Sequence, residues 1–354
     1  MISRRAFLAL ALAGAAGAGM GCQRALPAYT ARFAALGTTV DVSVVGAPRA
    51  TAEAAAAAVE MDFETMEEAW SLERPGTLAL VNRWIAAGEP FAAPPDVLDL
   101  IALAQQIASA SDDLYNPALG RLSQLWGFQR DSADAPVPPA DAAIRHILER
   151  RPRIRDLKVD GLRVSPGNTT VQLDFGGLAK GRGLDLARQH LRDWGIRNAL
   201  ISAGSDACAM GSRESYPWRI TVRRANGTGV FGTLDAQGDE SVCTCGEFGR
   251  TFVWNGRRHH RLVDPRTGYP STGVAAVTVI HASAAVAAAA SQALLAAGAA
   301  DWHACATRLG LRHVLLVADD GAVHASPKML ERLSFVDRPA NILIGAPLID
   351  AGPA

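Results

Sequence analysis

The chain has 354 residues, of which 49% are hydrophobic, and its 35 basic residues balance 35 acidic ones. This length is enough for one large domain or two ordinary ones. The balanced charge excludes the basic surface by which proteins bind nucleic acid or anionic membranes, so we expect a globular protein that binds no nucleic acid.

The first 22 residues are predicted to be an export signal. Arg4-Arg5 precede a short run of Ala, Leu and Gly, which is typical of a twin-arginine (Tat) signal. The run ends at Gly19-Met20-Gly21-Cys22, which is similar to a lipobox with an acylated Cys22, although plain cleavage near Cys22 is the alternative. We expect a lipid-anchored protein on the periplasmic side of the inner membrane, with residues 23–28 as its tether.

The rest of the chain alternates between strand and helix patterns. Residues 29–45 read as two strands broken at Gly37, and residues 131–141 as a solvated segment. Residues 274–280 are rich in β-branched side chains and predict a strand, whereas residues 284–297 predict a helix that is apolar on nearly every side. Such a helix is buried, and we do not expect it to span a membrane. We find no linker, so residues 29–345 are expected to form one domain and residues 346–354 a tail.

The cysteines of the mature chain are predicted to be buried thiols. A Tat substrate folds in the reducing cytoplasm before export, where disulfides are rare. Cys243-Thr244-Cys245 lacks a second cysteine pair or a histidine at ligand spacing, so it is a poor zinc site. The other two are Cys208 and Cys305.

A glycine-rich segment, residues 171–183, is the first candidate site. We predict a strand ending at Asp174, a loop that carries Lys180 and Arg182, and a helix from Leu184 to Trp194. Glycines allow a backbone to approach a phosphate, and a helix N-terminus offers free N–H groups. The segment matches no standard nucleotide motif, so an ordinary strand–helix turn stays open beside a phosphate loop.

The second candidate site is residues 259–270, where polar side chains surround a turn fixed by Pro265, Gly268 and Pro270. Adjacent histidines are often surface residues, and Asp-Pro is a common turn. The density of reactive side chains in one rigid loop nevertheless favours a site.

These two segments, in this order, resemble the FAD:protein FMN transferases, the ApbE-like family. The resemblance is carried by Asp174–Gly181 and by Asp264–Pro270. Weaker similarities extend it over residues 29–298: Leu36–Thr38, Ser71–Asn82, Pro117–Phe128, Ser202–Asp206 and Thr244–Gly246.

The resemblance implies an α+β fold of the T-fold kind, a single domain with a deep flavin cleft. It implies that FMN is moved from FAD to a Thr or Ser of a partner flavoprotein of the respiratory or redox kind, with release of AMP and with Mg²⁺ at the pyrophosphate. Some relatives instead hydrolyse FAD to FMN and AMP. The expected FAD-binding residues are Gly177, Lys180, Arg182, Asp206, Thr244, Asp264, Thr267 and Gly268.

The sequence departs from the family pattern at the positions that carry the chemistry. The family's proposed base, a histidine three residues before the Asp of Asp-Pro, is replaced by Arg261, which cannot accept a proton. His260 is adjacent, although on a strand it would point to the opposite face. The family's two metal-ligand positions on the buried helix hold Ala288 and Gln292. The backbone carbonyl of Ala179 is the one ligand that is retained.

Three functions remain open at this stage. The first is a working FMN transferase with His260 and Arg261 as its catalytic residues, in which either the metal site is rebuilt or Arg261 replaces the charge of the ion. The second is a catalytically silent FAD-binding lipoprotein, and the third is a hydrolase whose nucleophile is Ser205 or a cysteine. The segment Ala203–Ala207 lacks the second glycine of a nucleophile elbow, which disfavours the hydrolase.

Overall fold

The computed structural model describes residues 28–348, except residues 73, 129–136, 226–227 and 248–250. Arg4, Arg5, Cys22, most of the tether, most of the solvated segment and the end of the tail lie outside the described residues.

The described chain mixes strands and helices throughout. The strands are β1 (Ala28–Ala35), β2 (Thr38–Val45), β3 (Phe91–Ala92), β4 (Leu157–Asp160), β5 (Arg163–Pro166), β6 (Asn198–Ala203), β7 (Asp206–Met210), β8 (Arg219–Arg223), β9 (Val230–Asp235), β10 (Ser241–Gly246), β11 (Thr251–Trp254), β12 (Arg257–His260), β13 (Val274–His281), β14 (His313–Ala318), β15 (Val323–Ala325), β16 (Leu333–Phe335) and β17 (Ile342–Ile344). The helices are α1 (Arg49–Trp70), α2 (Thr77–Ala87), α3 (Pro95–Ala110), α4 (Gly120–Trp126), α5 (Asp141–Glu149), α6 (Gly176–Asp193), α7 (Ala284–Arg308) and α8 (Pro327–Leu330).

One large sheet organises the fold. Its strand order is β1-β2-β6-β7-β10-β13-β14-β15-β17, and all neighbours are antiparallel except β15 and β17. Alternate side chains of these strands enter two different cores, because successive residues of a strand point to opposite faces. One core includes α1, α6 and α7, and the other includes the small sheet β16-β9-β8. The large sheet is therefore covered on both faces.

Several predicted elements are confirmed. The two strands in residues 29–45 are β1 and β2, which pair as a hairpin whose turn contains Gly37 at φ 69°. The strand predicted for residues 274–280 is β13. The predicted buried helix is α7, which continues past Ala297 to Arg308 after a break at Gly298, where φ is 80° and ψ is 174°.

By length and composition α7 is the one described helix that could cross a membrane, but 67% of its most apolar stretch is buried inside the protein. Burial accounts for the apolar composition of this helix.

The predicted glycine-rich loop is wrong, because residues 176–183 form the first two turns of α6. The glycines serve helix packing instead. A Cβ on Gly181 would lie 2.6 Å from the Ala284 carbonyl carbon and from the Ala285 Cα, and closer still to the Ala284 oxygen. No side chain fits there, so Gly181 sets how closely α6 approaches α7. The predicted strand before Asp174 is reduced to a single bridge between Gln172 and Leu119.

A carboxylate of α6 also holds the start of α7. Asp185 accepts hydrogen bonds from the Ser283 hydroxyl at 2.6 Å, the Ala284 N–H at 2.9 Å and the Ala285 N–H at 3.1 Å. A negative charge at a helix N-terminus satisfies free N–H groups and interacts favourably with the helix dipole. The two helices are therefore joined by a polar clamp as well as by close packing.

The four cysteines of the described chain are free thiols, as predicted; Cys208, Cys243 and Cys305 are buried, whereas Cys245 is only partly buried. Burial raises the pKa of Cys208 and of Cys305 to about 11, and that of Cys243 well above its ordinary value. Thiols with such pKa values are almost entirely protonated at neutral pH and are poor nucleophiles.

The packing role of Gly181 can be tested by substitution. Alanine has the better intrinsic helix propensity, by about 1 kcal/mol, but its methyl group would overlap backbone atoms that cannot move independently. We expect Gly181→Ala to lower the free energy of unfolding by about 1–3 kcal/mol, measured by chemical denaturation.

Gly183→Ala is the matched control in the same helix. Its Cβ would meet the Met66 Sδ and the Phe63 ring at 3.2 Å, and a methionine side chain adapts readily. The free energy of unfolding of this variant should lie within about 1 kcal/mol of the wild-type value. If the two variants were equally stable, the proposed backbone contact at Gly181 would not limit the packing.

Candidate active site

A cavity lies between the N-terminus of α6 and the segment that follows β12. Its walls include Tyr115, Asp174, Gly177, Arg261 and Gln292, with a volume of about 120 Å³. Small-molecule pockets usually have volumes of about 300–1,000 Å³, so in this form the cavity can hold only part of a dinucleotide. It joins the two segments that the sequence singled out.

Asp174 brings a carboxylate to this cavity. Its Oδ1 accepts a hydrogen bond from the Gly176 N–H at 3.1 Å, where the chain turns into α6 with Gly176 at φ 45°. Burial, and the negative charge of Asp174, raise the pKa of Tyr115 well above its ordinary value, and the Tyr115 hydroxyl donates to the Phe175 carbonyl at 3.3 Å. The sequence indicated Asp174 as the end of a strand and the start of a family-like segment, but not as a residue of the site.

Lys180, Asp206 and Thr244, three of the expected FAD-binding residues, lie together. Lys180 Nζ is 2.7 Å from Asp206 Oδ2, with side chains only 17% and 4% exposed. Asp206 Oδ1 accepts the Thr244 N–H at 3.0 Å, and the Thr244 hydroxyl bonds to that of Thr278 at 3.0 Å. Because Asp206 already neutralises Lys180, a phosphate near Lys180 would compete with this carboxylate.

Arg182 does not join this group, contrary to the expectation that it shares a phosphate with Lys180. Its guanidinium lies 3.3 Å from Asp99 of α3, which is 65% exposed. Residues two positions apart on a helix are rotated by about 200° around its axis. Side chains that would be neighbours in a loop therefore point in different directions in α6.

The Asp264–Pro270 turn is rigid and internally bonded. Asp264 accepts two hydrogen bonds at 2.8 Å, from the Arg266 N–H and from Arg266 Nη2, and Arg266 also donates to the Ala296 carbonyl of α7 at 2.6 Å. Gly268 has φ 74°, and its carbonyl accepts the Trp126 indole N–H at 2.8 Å. The Thr267 hydroxyl accepts the Tyr269 N–H at 3.3 Å.

The turn residues that are expected to bind FAD take part in these internal contacts. The cavity wall contains Val263 and Pro265 of this segment rather than Asp264, Thr267 or Gly268. A Cβ on Gly268 would lie 2.5 Å from the Ile144 methyl group of α5, so this glycine faces a packed helix. The turn supports the cavity from behind.

His260 and Arg261 differ in position. The His260 side chain is buried: its Nε2 donates to the Ser271 carbonyl at 2.8 Å and its Nδ1 accepts the Leu262 N–H at 3.3 Å. Burial lowers the pKa of His260, so the ring is neutral at neutral pH. Arg261 is exposed at the mouth of the cavity and forms part of its wall.

The residues at the positions that the resemblance assigns to Mg²⁺ ligands do not fit the ion, and of these Gln292 lines the cavity. Gln292 extends its amide to Gly177, and the Ala288 methyl group lies 3.9 Å from where a Gly177 Cβ would stand. Mg²⁺ requires about six oxygen ligands in octahedral geometry, usually including carboxylates. Ala288 offers no ligand, Gln292 one neutral oxygen and Ala179 its carbonyl. Within the described residues no three His, Cys, Asp or Glu side chains are grouped as a metal site.

A cluster of aromatic side chains, which the sequence did not indicate, supports the outer wall of the cavity. The rings of Trp126 and Phe128 are 5.7 Å apart, those of Phe128 and Phe252 5.4 Å, and those of Phe252 and His259 5.0 Å. His259 therefore packs the β11–β12 hairpin onto α4. No local pattern indicates that a residue near 252 will contact one near 128.

Comparison with known proteins identifies the family. The ApbE family model matches residues 36–315. A FAD:protein FMN transferase of Rhodobacter capsulatus is 36% identical over 311 residues, 88% of this chain and 59% of that protein, so the chain spans less than two thirds of this relative. A FAD:protein FMN transferase of Vibrio cholerae is 25% identical over 271 residues, 74% of this chain and 79% of that protein.

The solved structures agree with this assignment. The ApbE protein of Thermotoga maritima superposes with a TM-score of 0.79 at 30% identity and covers 86% of this chain and 99% of its own. The Vibrio cholerae flavin transferase ApbE has a TM-score of 0.76 at 24% identity, over 87% of this chain and 99% of its own, and shares the fold. The expected α+β single domain is confirmed. The chain belongs to the ApbE family.

Proposed function

We propose that this protein transfers the FMN part of FAD to a Thr or Ser hydroxyl of a partner flavoprotein and releases AMP. The observation that carries the proposal is the family match over residues 36–315, because relatives over most of this length are named FAD:protein FMN transferases. The cavity supports it: a cation, Arg261, and a carboxylate, Asp174, lie on its walls.

The reaction requires one bond to form and one to break. The acceptor hydroxyl oxygen bonds to the phosphorus of the FMN half, the P–O bond to the AMP phosphate breaks, and the hydroxyl loses its proton. Catalysis of such a transfer consists mainly of positioning the groups and stabilising charge. Since the residues at the family's metal positions do not fit Mg²⁺, we assign no step to a metal.

Asp174 is the better supported acceptor for the hydroxyl proton. Its carboxylate lines the cavity, and only one of its oxygens bonds to the backbone. His260 would first have to break its bonds to the Ser271 carbonyl or the Leu262 N–H. A general base must come within hydrogen-bonding distance of the proton it removes, which favours Asp174 over the sequence-based choice of His260.

The structure offers little support to a hydrolase. The Ser205 hydroxyl donates to the Thr244 carbonyl at 2.7 Å and has no histidine beside it in the described contacts. The buried thiols have raised pKa values, which disfavours a cysteine nucleophile. A catalytically silent FAD-binding protein has no named counterpart among the relatives compared, and it becomes the outcome if FAD binds but FMN is not transferred.

The site of action follows from the N-terminal sequence. Arg4-Arg5 and Cys22 support Tat export and a lipid anchor on the periplasmic side of the membrane. The acceptor would then be a redox flavoprotein with a periplasmic Thr or Ser.

Asp174→Asn tests the proposed base. Asparagine keeps an oxygen for the Gly176 N–H but is a far weaker base, so we expect FMN transfer to fall about 10²- to 10⁴-fold. FAD affinity should change less than threefold. Transfer is measured by the mass increase of an acceptor flavoprotein incubated with FAD.

Asp99→Asn removes a carboxylate that does not line the cavity and is the control, which should retain wild-type rates. Unchanged transfer by Asp174→Asn would exclude this carboxylate as the base. Absence of transfer by the wild-type protein would contradict the proposed function itself.

Export is tested by fractionating cells. Changing Arg4 and Arg5 to Lys should leave precursor in the cytoplasm, because the Tat pathway reads the arginine pair. Cys22→Ser should release the exported protein from the membrane, because the acyl anchor is lost. Export that survives the double Lys change would exclude the Tat pathway, and a membrane-bound Cys22→Ser protein would exclude lipidation.

A further inference from the structure

Arg261 differs from the other basic residues near the site because its charge is not already matched. Lys180 pairs with Asp206, Arg266 with Asp264, and Arg182 with Asp99. Over residues 28–348, with the gaps given above, no carboxylate lies within salt-bridge distance of Arg261. A cation without a partner, at the mouth of a cavity, is free to bind an anionic ligand.

Arg261 lines the same cavity as Gln292. The positive charges of Arg261 and Lys180 both lower the pKa of Cys245, which burial nevertheless raises to about 12. Arg261 and Gln292 both border the space that a ligand of this cavity would occupy.

Gln292 occupies the space between the two helices. A Cβ on Gly177 would overlap the Gln292 amide nitrogen, so the amide packs directly on the α6 backbone. Of the nearby carboxylates, Asp206 pairs with Lys180, and Asp174 bonds to the Gly176 N–H through one oxygen only. Together they do not supply the roughly six oxygen ligands that Mg²⁺ requires. A neutral side chain thus fills the wall where the resemblance expects a divalent ion.

We propose that this site binds FAD without a divalent cation, and that the guanidinium of Arg261 neutralises the pyrophosphate in its place. This inference rests on the proposed function, since it takes FAD as the ligand. A guanidinium can hold two phosphate oxygens at once through parallel N–H groups. Because Arg261 is part of the chain, its positive charge is always present at the site. FAD binding would therefore not depend on the supply of a metal ion.

The test compares FAD affinity in Mg²⁺ and in EDTA, measured by calorimetry on the full mature chain. The wild type should give the same dissociation constant within twofold in both. Arg261→Gln should weaken FAD binding about 10- to 100-fold, with or without Mg²⁺. Weakening of wild-type binding by tenfold or more in EDTA, or no effect of Arg261→Gln, would overturn the inference.

Arg258→Gln is the matched control. Arg258 lies three residues earlier, is also exposed, and donates to the Glu247 carbonyl rather than lining the cavity. Its substitution should change FAD affinity less than twofold, so an equal loss in both variants would indicate general electrostatic attraction and contradict a specific role for Arg261.

Direct metal binding gives a second measurement. In the presence of FAD, Mn²⁺ observed by electron paramagnetic resonance should stay free at submillimolar concentrations in the wild type. Ala288→Asp combined with Gln292→Thr should introduce Mn²⁺ binding. Tight Mn²⁺ binding by the wild type would overturn the inference and leave the transferase proposal intact, whereas no FAD binding in any condition would contradict both.

Discussion

The contact between α6 and α7 is the constraint on which the site depends. Gly181 allows the backbones to touch, and Asp185 binds the first N–H groups of α7. These two interactions fix both the separation and the register of the helices. Register matters because it brings Gln292 opposite Gly177 and so determines which side chains form the inner wall. A shift of one residue in either helix would turn that wall by about 100°.

The contact between α6 and α7 also determines which basic residues are already paired with a carboxylate and which are not. Lys180 lies on the α6 face that meets the sheet, where Asp206 matches it almost completely out of solvent. Truncating one member of such a buried pair costs about 3–5 kcal/mol, since an unpaired charge is left inside. Arg261 follows β12 at the opposite wall and lies at the surface. Basic residues that look alike in the sequence therefore differ in the fold: Lys180 holds the helix to the sheet, and Arg261 is exposed at the cavity.

Sequence reasoning succeeded where burial leaves a periodic signal. The alternation in residues 29–45 and the Ala-rich run after Ser283 identify β1, β2 and α7, because strands and buried helices impose those patterns. It failed at residues 176–183, since glycine is as compatible with a close helix contact as with a loop. That error also placed Arg182 beside Lys180. The position of the His260 side chain could not be predicted from the sequence either, because its partner Ser271 lies across a turn whose path the sequence does not specify.

The break at Gly298 limits the length of the straight apolar part of α7. From Ala284 to Ala297 the helix is continuous for 14 residues, about 21 Å at 1.5 Å per residue. The hydrocarbon core of a bilayer is about 30 Å thick, so this straight segment is too short to cross it. Past Gly298 the chain continues with Asp301, Trp302 and His303, which would carry polar groups into lipid. Outside the fold, the straight apolar part of α7 would therefore leave part of the hydrocarbon core unspanned.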